Sequence, residues 1–203
     1  MTVNGEKGHR RTQAERSRST RAALIASGRA LFAERGFAGT AREEIVERAG
    51  VTRGALHHHF GTKQALFSAV FEVLEQELAG RIAGAAMAGT DPRDQLRRGC
   101  HEFLDAALDP AVQRIVLLDA PAVLGWAAWR EVDARYGLGL VTEGLRAVFA
   151  EGQAAPGPVE PLAHLLLAAL NEAAMLVAGA PEPARARAEV GGIVDHLLES
   201  LTS

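Results

Sequence analysis

Sulfur chemistry is almost absent from this chain. It has one cysteine, Cys100, so it can close no intramolecular disulfide, and it carries no C-x-x-C pair. Aromatic residues make up only 5% of the sequence. No Asn-Gly or Asp-Gly turn separates alternating apolar runs, and no strand–helix–strand rhythm repeats, so a β or α/β fold is not expected. There is no G-x-S-x-G, Walker A or H-E-x-x-H motif. Gly137-Leu138-Gly139 begins like a dinucleotide loop but lacks the third glycine and a preceding strand. No apolar run follows the polar residues Met1–Arg11, so no secretory leader is expected. No Lys or Arg occurs between Ala147 and Ala184.

What is present is ordinary globular composition with an uneven charge. Of 203 residues, 48% are hydrophobic and 23% charged. A chain of this length can bury roughly 70% of its unfolded surface without a metal or disulfide staple. Residues 1–63 hold 12 Lys and Arg against 6 Asp and Glu; residues 64–203 hold 10 against 19. A basic N-terminal third on an acidic remainder suggests that one end alone meets a polyanion, although a solvated basic arm gives the same count.

The periodicity is helical. Residues 1–19 read as a flexible basic arm and the start of a first helix, with Leu24, Gly28 and Leu31 on one stripe and Gly36 as its stop. Thr40 and Glu43 have capping-box spacing for a second helix that ends at Gly50. Thr52 precedes a third, Arg53–Phe60, stopped by Gly61. Thr62 precedes a fourth, Lys63–Met87. Two short capped helices joined by a tight glycine turn are a helix-turn-helix pattern. Further helices are expected over 91–108, 110–120, 122–150 (interrupted), 159–179 and 184–201. The apolar run 161–180 contains His164, Asn171 and Glu172, which favours a bundle or dimer helix over a membrane span.

Three clusters are conspicuous. His57, His58 and His59 lie about 100° apart around a helix and cannot converge on one metal ion, so no metal site is expected. They suit phosphate or base contact, and their charge can rise as pH falls. Trp126, Trp129 and Tyr136 share a helical face and suit either core packing or ligand contact. His164, Asn171 and Met175 lie on an apolar helix, where a polar group needs a partner: a dimer contact, an internal hydrogen bond or a ligand.

Phe32, Gly36-Phe37, Thr40, Ile45, Ala49-Gly50-Val51-Thr52, Gly54-Ala55-Leu56, His59-Phe60, Lys63 and Leu66 resemble the DNA-binding segment of the TetR-like (tetracycline-repressor-like) transcriptional regulators. The match is ungapped over about residues 20–70. The resemblance implies an all-α homodimer: a helix-turn-helix domain over 20–66, then a larger helical ligand-binding and dimerisation domain over 67–203. It implies that Thr40, Thr52, Arg53, Gly54, Ala55, His57, His58, His59 and Lys63 approach DNA. Thr40 and Thr52 would sit at helix N-termini facing phosphate, Arg53 would read guanine, and Lys63 would anchor a phosphate. Arg42, Val46 and His57 depart from the family's usual residues; Arg42 could turn outward to a phosphate.

The expectation is therefore a cytoplasmic, sequence-specific transcriptional regulator, most simply a repressor, with no enzymatic activity and no cofactor. Its expected partners are a pseudo-palindromic double-stranded DNA site, a second copy of itself and a small hydrophobic ligand, neutral or cationic; no membrane is involved. Dimer contacts are expected at Leu166, Leu170, Ile193 and Leu197. The ligand pocket is expected at Phe67, Phe71, His101, Phe103, Leu104, Trp126, Trp129, Asn171, Glu172 and Met175, between the helices that begin near Lys63, Asp91, Pro110 and Ala122 and the helix over 159–179. An enzyme with an appended DNA-binding arm, or a nucleoid binder without sequence preference, are the competing classes. Incubation with metals and ester substrates separates the first, and comparison of operator with random DNA the second.

Overall fold

Capping chemistry divides the N-terminal third into four helices, as seen in a computed structural model that describes residues 12–150 and 157–201. The expected basic arm over Met1–Arg11 lies outside the described residues, as do residues 151–156, where the sequence breaks the helical pattern between the helices over 122–150 and 159–179. Helix α1 (Gln13–Arg35) starts at Thr12, whose hydroxyl accepts the Glu15 N–H at 3.2 Å while its own N–H donates to the Glu15 carboxylate at 2.7 Å. Gly36 ends it at φ 71°. Helix α2 (Arg42–Ala49) ends at Gly50 in the left-handed region. Helix α3 (Arg53–Phe60) is capped by Thr52, which accepts from Ala55 N–H at 3.2 Å. Helix α4 (Lys63–Met87) is capped by Thr62, which accepts from Ala65 N–H at 3.0 Å.

One expected cap is in the wrong place. Helix α2 starts from Ala41, whose N–H donates to Glu44 Oε2 at 2.9 Å, so Glu44 and not Glu43 closes this turn. Thr40 is buried, and its hydroxyl lies 2.8 Å from the Gly36 carbonyl and 3.2 Å from that of Leu31. It therefore satisfies carbonyls at the C-terminal end of α1, which a helix end leaves without intrahelical partners.

The rest of the chain is also helical: α5 (Pro92–Ala106), a π-helical segment (Val112–Asp119) running into α6 (Ala120–Leu124), α7 (Trp126–Asp133), a second π-helical segment (Ala134–Leu138), α8 (Gly139–Ala150), α9 (Val159–Gly179) and α10 (Pro183–Leu201). No strand occurs among the described residues. The interruption expected within 122–150 falls at Gly125, with φ 83°, and at the second π-helical segment.

Two apolar clusters hold these helices together. The first runs from Leu24, Phe32 and Ile45 through Leu66, Phe67 and Phe71 to Ile115, Trp129 and Val177, so α4 is core to both halves of the molecule. The second joins α5, α8, α9 and α10 around Leu104, Leu145, Leu167 and Leu170. At Gly28 a Cβ would lie 3.3–3.4 Å from Phe32, Leu66 and Val70, which shows how closely α1 is pressed onto α4. Helix α9 is long and apolar enough to cross a membrane by composition alone, with mean hydropathy 1.6. Here it packs against α5, α8 and α10 and buries one face, from Ala163 to Val177.

Candidate nucleic-acid interface and ligand cavity

Helix α3 stands clear of the molecule along one side. Leu56 is its one buried anchor, and Thr52, Arg53, Gly54, His57 and His58 are exposed. Arg53 is 78% exposed and has only a loose 3.8 Å pair with Glu43. Ala55 and His59 are half-buried. A Cβ at Gly54 would meet nothing closer than the Thr52 hydroxyl at 3.8 Å. The fold therefore does not require glycine there; the open space faces outward. Arg42 donates to the Gly61 carbonyl at 3.3 Å, and His57 Nδ1 lies 3.3 Å from the same oxygen. Both satisfy the C-terminal end of α3 and keep their remaining N–H groups toward solvent.

Lys63 differs from the expected phosphate anchor. Its ammonium donates to the carbonyls of Phe37 at 2.8 Å and Thr40 at 2.9 Å, and it sits 4.2 Å from the centroid of the Phe37 ring. Together with the buried hydroxyl of Thr40 it secures the turn between α1 and α2. These two residues position the helix-turn-helix from behind, whereas Arg53, Gly54, His57 and His58 form its outer face. No group of three or more His, Cys, Asp or Glu among the described residues could hold a metal ion.

The same turn meets the second half of the molecule. Phe37 N–H donates to Asp119 Oδ2 at 2.6 Å, and Arg114 pairs with that oxygen at 3.4 Å. A Cβ at Gly36 would collide with the Arg114 guanidinium. Gln64, in the first turn of α4, donates to the Val123 carbonyl at 2.9 Å.

A cavity of about 340 Å³ lies between α4, α5, the second π-helical segment, α8 and α9. Leu78, Ile82, Phe103, Val141 and Leu167 supply much of its apolar wall, and Glu75, Gln95, Cys100, Asp133, Tyr136 and Glu143 its polar atoms. Of the expected pocket residues only Phe103 lines it. Phe67, Phe71 and Leu104 are fully buried core. Trp129 is core as well, its indole N–H donating to the Val116 carbonyl at 3.2 Å. Trp126 is 60% exposed and lies against Trp129 with its ring tilted by 36°. Met175 packs against the first cluster, and Glu172 is exposed on the outer side of α9. His101 faces α10, 2.7 Å from Asp195 and 3.0 Å from Arg187. Asn171 lies behind the wall and donates to Asp133 Oδ2 at 2.9 Å. Amphipathic spacing finds buried aromatics, but only packing shows which of them leave space beside them.

Glu75 and Asp133 are not among the residues expected from the sequence. Both are buried, at 6% and 5% exposure. Burial pushes the Glu75 carboxyl up to about 8, with the nearby Asp133 charge adding to it. Burial likewise raises Asp133, opposed by the Asn171 hydrogen bond and Arg130. The signal was available: Glu75 follows Phe71 and Leu74 on the buried stripe of the fourth helix, where a carboxylate is out of place.

The expected dimer contacts split. Leu166 and Leu170 are buried within the chain, at 2% and 3% exposure, because they face α5 and α8. Ile193 (69%) and Leu197 (37%) are exposed, as are Leu165 (69%) and Leu176 (57%) on α9. The outer apolar face of α9 therefore lies one residue away from the one expected.

Comparison with known proteins matches this architecture along most of the chain. Residues 24–70 match the family described as bacterial regulatory proteins, tetR family, and residues 93–201 match the tetracyclin repressor-like C-terminal domain. The HTH-type transcriptional regulator CymR of Pseudomonas putida is 36% identical over 129 residues, covering 61% of this chain and 63%, less than two thirds, of CymR. The TetC protein of transposon Tn10 from Escherichia coli is 29% identical over 76% of this chain and 78% of its own length. A crystal structure of a TetR-family transcriptional regulator from Pectobacterium atrosepticum superposes with a TM-score of 0.84 at 34% identity, covering 95% of this chain and 98% of that one.

Proposed function

The chain belongs to the TetR family of DNA-binding transcriptional regulators, and on that premise we propose that it is a cytoplasmic homodimeric repressor, released from its operator when a small molecule fills the α4–α5–α8 cavity. Arg53, with Gly54 leaving room for close approach, contacts base edges. Thr52, His57, His58 and Arg42 contact the backbone. The outer faces of α9 and α10, around Leu165, Leu176, Ile193 and Leu197, meet the same faces of a second copy. A twofold dimer presents two copies of α3 and reads a pseudo-palindromic site. No catalytic role is assigned to any residue.

The observation that carries this reading is the course of α4. It begins beneath the helix-turn-helix at Lys63 and, about 18 Å further along at 1.5 Å per residue, presents Glu75 to the cavity. A ligand that binds one tilt of this helix better than another shifts the populations of the two arrangements. The test is genome-wide mapping of bound sites, then binding to a recovered operator and to random DNA at fixed salt. Tight, twofold-symmetric binding to the operator supports the reading. Equal binding to both DNAs refutes it.

A further inference from the structure

We infer that the cavity takes a hydrophobic amine, a single cation whose charge sits against Glu75 and Asp133 while its apolar body fills the space between α4, α5 and α8. This rests on the cavity being the effector site and narrows that site to a class of ligand.

The cavity holds a polar group without a partner. Glu75 is 94% buried by its 6% exposure, lines the cavity, and has no hydrogen bond among the described residues. A buried polar group in that condition calls for a partner, and a ligand in the cavity beside it can supply one. The second carboxylate is half satisfied. Asp133 Oδ2 accepts from Asn171 and lies 3.8 Å from Arg130. Its Oδ1 has no hydrogen bond among the described residues and lies beside Gly137, another lining residue, 3.9 Å from where a Cβ would stand.

The surrounding charges do not supply the missing partner. On α4, Glu72 is engaged by Arg135 at 3.1 Å and by the Tyr136 hydroxyl at 3.3 Å. On α5 the wall presents Gln95 and Cys100, whose thiol is pushed up to about 12 by burial and is neutral. On α8 it presents Glu143, and on α9 Asn171 stands behind Asp133. Among the described residues, no Lys, Arg or His lines the cavity. Arg130 on α7 pairs loosely with Asp133, at 3.8 Å. Among the described residues the wall thus carries three carboxyl groups and no cationic side chain, with the rings of Phe103 and Tyr136 available to a cation.

With the cavity empty, Glu75 keeps its proton at neutral pH. An ammonium group entering beside it favours the carboxylate, so binding releases that proton to solvent. A neutral ligand accepting a hydrogen bond from the protonated acid would instead lose affinity as pH rises.

The experiment uses matched probes on the full chain: 1-adamantylamine against 1-adamantanol, 4-phenylbutylamine against 4-phenylbutanol, and the trimethylammonium analogue of the first, whose charge is fixed. Binding is followed by calorimetry and thermal shift between about pH 6 and about pH 9. The expected result is preference for the cations, with affinity rising up to about tenfold per pH unit and levelling above about pH 8. Glu75→Gln should weaken amine binding about tenfold or more and flatten the pH slope, with a much smaller effect on the alcohols. Should the variant fail to fold, the pH slope of the wild type with the fixed-charge probe still decides. Equal binding of amine and alcohol, or affinity falling with pH, overturns the cationic inference and leaves the effector site standing. No binding by any probe overturns the effector-site reading with it.

Discussion

The Asp119 carboxylate holds the backbone N–H of Phe37 at 2.6 Å, across 82 positions of sequence. One residue ends the first π-helical segment and the other lies in the turn between α1 and α2, so this hydrogen bond joins the DNA-facing and cavity-bearing halves. Asp119→Ala is expected to cost about 1.5–3 kcal/mol, as for a hydrogen bond to a charged group, and Asp119→Asn less, because an acceptor oxygen remains. Urea unfolding measures both. Unchanged midpoints would show that the joint carries no energy.

Lys63 separates a positioning role from a phosphate contact. Lys63→Met keeps the aliphatic stem on Phe37 and removes the donors to the Phe37 and Thr40 carbonyls. We expect a stability loss of about 1–3 kcal/mol and an unchanged salt slope of DNA binding. A slope lower by about 1 with no loss of stability would restore Lys63 to the phosphate backbone.

Gly54 offers the reverse dissociation. Because a Cβ there meets nothing among the described residues nearer than 3.8 Å, Gly54→Ala should stabilise α3 by roughly 0.5–1 kcal/mol while weakening operator binding. Arg53→Ala should cost about 1–3 kcal/mol on operator DNA and little on random DNA. Gel-shift titrations with both DNAs, beside thermal melts, separate the effects; a Gly54→Ala protein binding at wild-type affinity would remove α3 from the interface.

Glu75 predicts how stability follows pH. Folded, it keeps its proton up to about 8; its ordinary value is 4.5. Between those values the folded state binds more protons than the unfolded one, so stability falls as pH rises through this window and flattens above it. The largest slope for one such group is about 1.4 kcal/mol per pH unit. Asp133, also raised by burial, adds with the same sign. Glu75→Gln should flatten the profile and raise the melting temperature above about pH 8. Denaturation curves with the same slope in variant and wild type would contradict this.

The leucines of α9 sort by face. Leu166→Ala removes a core side chain and should cost about 2–5 kcal/mol. Leu165→Glu with Ile193→Glu alters only exposed positions (69% each) and should leave the fold intact while giving a monomer in sedimentation. A dimer that survives the double substitution must use another surface.

Local chemistry wrote much of this molecule directly into its sequence. Thr52 and Thr62 cap the helices they precede, and Gly36, Gly50 and Gly61 terminate helices through positive φ. Such signals act over three or four residues, so the sequence alone determined the helix-turn-helix, the run of α4 from Lys63 to Met87 and the exposed display of Arg53, His57 and His58. Tertiary structure decided what depends on distant neighbours. Thr40 has the spacing of an N-cap, yet the carbonyls of Leu31 and Gly36 claim its hydroxyl. Lys63 reads as a free cation, yet the carbonyls of Phe37 and Thr40 hold it. Amphipathic spacing tells that Phe67, Phe71, Leu104 and Trp129 are buried, but whether they fill a core or border a space depends on how five helical segments meet. Glu75 and Asp133 lie 58 positions apart in sequence, and only the folding of α4 against α7 and the second π-helical segment puts both carboxyls beside one cavity, where burial changes their protonation.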